Sequence, residues 1–234
     1  MKKFLLTAIL IWAVYVGALA ADWPAAMELG GFTITNIVGE TKPDGSGKAS
    51  GRLMVPTDGT CPIDLTKTSS DSIMGTMRSG FTYGGLRIDG SFILDRRGLE
   101  GTGTVRTSVR PIQDANIRFD AKTGITGSGR VYLGQRFAVP VRFDIKPTGL
   151  SSLNGMASRQ VSADTPLAVY TFKGDVTVSA VGTGIKTAAR GMIERRGKIG
   201  GMTSSFGPLA FDVDVTTGEA SVNVGGTELV LDLW

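Results

Sequence analysis

The sequence predicts an all-β protein, an antiparallel meander of about 12–15 strands that curls into a groove or closes as a sandwich or barrel after an N-terminal signal peptide. Three observations carry this. From residue 80 onward apolar and polar residues alternate with the period of two that a strand with one buried face requires. Glycine accounts for 33 of 234 residues, about twice the usual ~7%, without the period of three that collagen needs. A glycine-rich unit also repeats. Gly98-Leu99-Glu100-Gly101-Thr102-Gly103-Thr104-Val105 returns as Gly124-Ile125-Thr126-Gly127-Ser128-Gly129-Arg130-Val131.

Residues 1–20 read as a signal peptide, and 21–234 as one repeat-like all-β domain. Lys2 and Lys3 precede an almost wholly apolar run from Phe4 to Val16, and Ala18-Leu19-Ala20 has the small-x-small form that signal peptidase cuts. Cleavage before Ala21 is the expectation, and retention as an anchor helix is the alternative. No Cys follows the apolar run, which argues against a lipid-anchored lipoprotein. The expected location is the periplasm or cell envelope, with the outer membrane or the exterior as alternatives.

Along the chain, Asp22 to Gly31 reads as a helical turn or an extended lead-in. Phe32, Ile34 and Ile37 begin strand-like alternation. Gly39 to Gly51, with Pro43-Asp44-Gly45 in turn order, reads as a mobile hairpin loop. Leu53-Met54-Val55 forms a short strand, Thr57 to Pro62 a turn, and Thr66 to Ser72 an exposed loop. Ile88, Gly90, Phe92 and Leu94 then share a face. So do Leu99, Gly101, Gly103, Val105 and Val109; Ile125, Gly127, Gly129, Val131 and Leu133; and Phe137, Val139, Val141, Phe143 and Ile145. The later strand candidates are 167–172, 176–181, 210–215, 220–224 and 228–234, and no long helix is expected.

The turns repeat as well. Arg118-Phe119-Asp120 leading to Gly124 is echoed, with one extra residue, by Arg142-Phe143-Asp144 leading to Gly149. Leu94-Asp95-Arg96-Arg97-Gly98 is echoed by Ile193-Glu194-Arg195-Arg196-Gly197, and more loosely by Phe211-Asp212 leading to Gly218. An acid ends each strand and bonds backbone N–H groups two residues on, and a glycine supplies positive φ.

Composition excludes several functions. Histidine is absent, which removes Ser-His-Asp and Cys-His catalysis, His-ligated zinc and a histidine pH switch. Without Lys2 and Lys3, 23 basic residues face 21 acidic ones, so nucleic-acid binding is not expected. The lone Cys61 has no partner for an internal disulfide and reads as a small buried hydrophobe. The carboxylate pairs Asp89/Asp95 and Asp212/Asp214 could in principle do acid–base work, but their places on polar faces and at turns suit solvated or capping acids. Asp44-Gly45-Ser46-Gly47 and Asp58-Gly59-Thr60 lack the alternating acids of a calcium loop, and the glycine-rich units lack the Gly-Lys-Thr/Ser and helix of a phosphate loop. Arg96-Arg97 and Arg195-Arg196 suit solubilising residues better than lipid-phosphate ligands. No enzyme, cofactor or metal is predicted.

The Gly-φ-x-Gly-x-Gly-x-Val units (φ apolar), following Asp-x-(Lys/Arg)-x-Gly turns over residues 87 to 161, resemble the repeats of AsmA/TamB-type proteins. Those are repeating β-groove proteins of the bacterial envelope. The resemblance implies a curled sheet whose apolar interior handles lipid acyl chains. This chain is much shorter, so reaching across a periplasm would take end-to-end assembly, and no individual residue role transfers.

The leading expectation is therefore an exported, non-enzymatic envelope protein that binds or shields a lipid or other apolar ligand. The ligand-facing residues would be Phe92, Leu99, Gly101, Gly103, Val105, Phe119, Ile125, Gly127, Gly129, Val131, Phe137, Val139 and Phe143. Either phenylalanines fill the space over those glycines or a ligand does. The alternative is a structural or interaction module for an envelope protein or surface polysaccharide. An outer-membrane barrel is a minor alternative, because Asp232 and Glu228 stand in phase with the terminal Trp234 and would face lipid. Trp234 as a plug is the plainer reading.

Overall fold

The structure, a computed structural model, describes residues 22–57, 59–69 and 72–234. The signal-peptide expectation lies outside the described residues. No helix occurs among the described residues, and the chain runs through β1 (Ala26–Leu29), β2 (Phe32–Thr41), β3 (Gly47–Val55), β4 (Gly59–Ser69), β5 (Ser72–Met77) and β6 (Phe81–Tyr83). There follow β7 (Leu86–Asp95), β8 (Gly98–Arg106), β9 (Ile112–Asp120), β10 (Gly124–Leu133), β11 (Phe137–Lys146) and β12 (Gly149–Asp164). The last five are β13 (Ala168–Val181), β14 (Gly184–Gly197), β15 (Thr203–Val213), β16 (Glu219–Val224) and β17 (Thr227–Asp232).

The predicted meander is the observed one. Strands β1 to β15 form one sheet in chain order, antiparallel throughout, with β6 sharing the edge of β7 beside β5. Strands β16 and β17 form a separate hairpin. The sheet curls into a half-barrel whose two edges are β1 and β15. The curl is visible where Phe32 of β2 meets Phe119 of β9 edge to face, at 4.8 Å between ring centroids. The short β6 projects into the hollow, stacking Phe81 on Phe119 and setting Tyr83 4.5 Å from the same ring. Aromatic pairs at such distances add about 0.5–1.5 kcal/mol beyond their buried area.

The glycine repeat has a direct structural meaning. Gly98, Gly124 and Gly149 each open a strand after a turn, with φ of 121°, 97° and 123°. A side chain on Gly98 would meet the Phe119 carbonyl at 2.8 Å, and one on Gly124 the Ile145 carbonyl at 2.6 Å. Gly98 and Gly124 thus back onto the following hairpin, whereas Gly149 lies nearest the Gly84 carbonyl of the β6–β7 turn; one repeat is two strands with their connections.

Several local expectations are corrected. For the lead-in, the extended one of the two expected forms is found, as β1, and the following stretches differ from expectation. The loop expected at Gly39–Gly51 is mostly strand, since β2 reaches Thr41 and β3 starts at Gly47. Its inward positions are Gly47, Ala49 and Gly51, too small to register as an apolar stripe between Lys48, Ser50 and Arg52. The Thr57–Pro62 turn is shorter than expected because β4 already begins at Gly59. Within the loop expected at Thr66–Ser72, residues 66–69 end β4 and Ser72 begins β5, paired by backbone where neither Thr66 nor Met74 is buried. The stretches 167–172 and 176–181 are one strand, β13, joined through Gly174 opposite Gly191.

The turn echoes are also partly displaced. Asp144 lies within β11, because Ser151 is an extra residue in β12 that shifts the register there. Ile193–Gly197 is strand β14, not a turn. The acid at the β15–β16 turn is Asp214, not Asp212, accepting the Thr216 and Thr217 N–H groups at 2.7 and 2.8 Å. Val109 lies outside β8 and is 43% exposed.

Candidate functional site

The predicted ligand-facing residues do share one face, and that face is filled. Leu99, Val105, Phe119, Ile125, Val131 and Val139 are wholly buried, and Phe92 and Phe143 nearly so, within one continuous core. The glycines among them are occupied from within the sheet. Phe92, opposite Gly101, places Cδ1 2.8 Å from where a Cβ would stand, and the Phe143 ring does the same at Gly127. Ile112 fills the place beside Gly129 at 2.7 Å, and Gly103 lies against the Asp89 carbonyl and Gly90. Phenylalanines therefore hold the space over Gly101 and Gly127, while Ile112 and neighbouring backbone hold it over Gly129 and Gly103.

Phe137 stands apart as half-buried. It stacks on Trp234 at 6.5 Å, and the Arg159 guanidinium lies over its ring at 4.9 Å. Arg159 Nε also donates to the Leu233 carbonyl at 2.7 Å. These contacts fix the β16–β17 hairpin over the inner face of β12–β15. The hairpin buries Ala220, Val222, Val224, Leu229, Leu231 and Leu233, and leaves Glu228, Val230 and Asp232 exposed.

The nominated acids are each engaged separately. Asp89 is clasped by Arg106 at 2.6 Å and Arg87 at 2.9 Å, and those hydrogen bonds, Arg106 first, hold its carboxyl below the usual range. Asp95 is lowered chiefly by the Arg97 side chain, and Asp120 by the Thr123 and Lys122 N–H groups. Asp214 is lowered by Thr217 and Thr216 N–H groups, and Asp212 pairs with Lys186 at 3.0 Å. A general acid needs the opposite shift, toward neutrality. Among the described residues no three acids or cysteines gather as a metal site. Cys61 is buried with Sγ 3.9 Å from the Gly80 carbonyl, and burial raises its thiol pKa.

The opposite, solvent-facing side of the sheet carries the feature that sequence reading missed. Ser91, Thr102, Asn116, Ser128, Arg142, Asn154 and Ser179 stand directly opposite one another in succession from β7 to β13. They make one continuous polar row across seven strands, at the strand spacing of about 4.8 Å. All seven are exposed. Among the described residues, none of their side chains has a hydrogen-bond or ion-pair partner.

The middle of the row, from Thr102 to Asn154, runs through two adjoining hollows of about 790 and 880 Å³, both lined by Asn116, Ser128 and Arg142. The first is bordered by Met74, Ile93 and the Glu100–Arg118 pair, the second by Met156 and the Asp114–Arg130 pair. Gly101, Gly127, Gly129 and Gly155 form part of their floor. The sequence does show these residues alternating with the glycines, but only pairing register reveals that they align.

No family model matches this chain, and neither a curated protein nor a solved structure does.

Proposed function

We propose that this protein is an exported, non-enzymatic interaction module of the cell envelope that holds a surface polysaccharide across its polar row. The observation that carries the reading is the unpaired Ser91–Ser179 row. Hydroxyl and amide side chains repeat there on the scale of one sugar unit, with no bonding partner among the described residues. Such groups exchange hydrogen bonds with sugar hydroxyls, and Arg142 at the meeting of the two hollows favours an acidic glycan. A glycan array followed by titration tests this: acidic polysaccharides are expected to bind, and Arg142→Ala with Asn116→Ala to weaken them. Unchanged binding by that variant would sink the reading.

A second reading, lipid on the inner face, draws support from the separate β16–β17 hairpin, which covers β12–β15 through side chains and lacks ladder pairing to them. Native mass spectrometry of the purified protein separates the two, since only this reading expects co-purified lipid.

A further inference from the structure

Strands β12 to β15 extend well beyond their neighbour. The last pair between β11 and β12 is Val141 with Gly155, so residues 156–164 continue past it, a reach of roughly 30 Å at about 3.3 Å per residue. The arm ends in two adjacent turns, β12–β13 and β14–β15, joined where Lys198 N–H donates to the Leu167 carbonyl at 3.0 Å. Three large apolar side chains crown it, with Leu167 69%, Met202 76% and Ile199 86% exposed. Gly200 and Gly201 hold the second turn open with positive φ.

Charge around this tip is one-sided. The acids on the arm's end are neutralised locally, Asp164 by Lys198 at 2.5 Å and Glu194 by Lys173 at 3.3 Å. Arg195 and Arg196 are left without such partners among the described residues. Being consecutive on β14 they point to opposite faces, so one guanidinium stands on either side of the apolar crown.

We infer that this arm is a membrane-surface contact, with Leu167, Ile199 and Met202 entering the interface of an anionic bilayer and Arg195 and Arg196 meeting its headgroups. Apolar residues at the end of a rigid arm gain by leaving water, and paired cations just behind them match anionic lipid. The contact is independent of the polar row, which lies on the sheet body between β7 and β13.

The test places an environment-sensitive fluorophore on Ile199→Cys in a Cys61→Ala background of the full chain. Vesicles of phosphatidylglycerol and phosphatidylethanolamine are added, with phosphatidylcholine vesicles as comparison. Emission at the tip is expected to rise and shift to the blue with the anionic vesicles only. The same label on Lys122→Cys, in the β9–β10 turn, is expected to stay unchanged. Arg195→Gln and Arg196→Gln should each weaken the response about fivefold, and Leu167→Ser with Met202→Ser should abolish it. Leu167, Ile199, Met202 and Arg196 are exposed and Arg195 is only half-buried, so the variants should keep the parent's circular dichroism. No change at Ile199→Cys, or an equal change at Lys122→Cys, overturns the inference. So does a Leu167→Ser, Met202→Ser variant that responds like the parent.

Discussion

Phe143 covers Gly127. The two are opposed across β10 and β11, and the phenylalanine ring occupies the place a Cβ on Gly127 would take. A glycine within a strand loses packing and gains chain entropy to overcome, and a cross-strand aromatic ring restores the buried contact. Phe92 and Gly101 repeat the device between β7 and β8.

Gly127→Ala should therefore destabilise the fold by about 1–3 kcal/mol through overpacking, and Phe143→Ala by about 3–5 kcal/mol through the cavity it leaves. The double variant should cost less than the sum, because the new methyl enters the vacated space. Urea unfolding of the four proteins in a double-mutant cycle measures this, and strict additivity would contradict the packing account.

Arg159 holds the C-terminal hairpin by two contacts, its bond to the Leu233 carbonyl and its position over Phe137. Loss of a charged hydrogen bond of this kind costs about 1.5–3 kcal/mol. Arg159→Ala should raise amide exchange across Glu219–Asp232 while leaving β7–β11 protected. Hydrogen exchange read by mass spectrometry checks it, and uniform loosening of the whole sheet would count against a local latch.

Acid should weaken the fold through its capped and clasped aspartates. Asp89, Asp95, Asp120 and Asp214 all lie below the ordinary aspartate value of 3.8 in the folded protein. A folded pKa below the unfolded one gives stability that is full above the unfolded value and lost as pH falls through the folded one. The urea midpoint should thus hold down to about pH 5 and decline below it. Asp120→Asn and Asp214→Asn should lower the neutral-pH midpoint and shallow the acid decline. With no histidine in the chain, no histidine step is expected between about pH 5 and 8.

Cys61 should be chemically quiet. It is buried at 8% exposure, and desolvation raises its pKa, so little thiolate is available near neutrality. A thiol reagent should modify the native protein slowly and the urea-unfolded protein at once. Rapid native labelling would mean that β4 opens readily from the core.

The fold class and the hairpin periodicity from β7 to β11 were legible in the sequence because local steric and burial rules act on neighbouring residues. Alternation marks a one-sided strand, and Gly98, Gly124 and Asp120 mark turns through positive φ and backbone capping. The same rules failed where inward positions are Gly47, Ala49 and Gly51, since small residues carry no hydrophobic period. They failed again at Ser151 and Ile193–Gly197, where pairing register and a neighbouring strand decide what a motif becomes.

The sequence alone thus determined that one face is apolar, that glycines interrupt it, and that neither histidine chemistry nor an internal disulfide is available. Only the tertiary structure decided what lies above those glycines, because the groups that cover them come from adjacent strands. It also decided the alignment of Ser91 through Ser179 into a row and the meeting of Leu167 with Ile199 and Met202. These are relationships across strands, set by register and curl, and no local pattern encodes them.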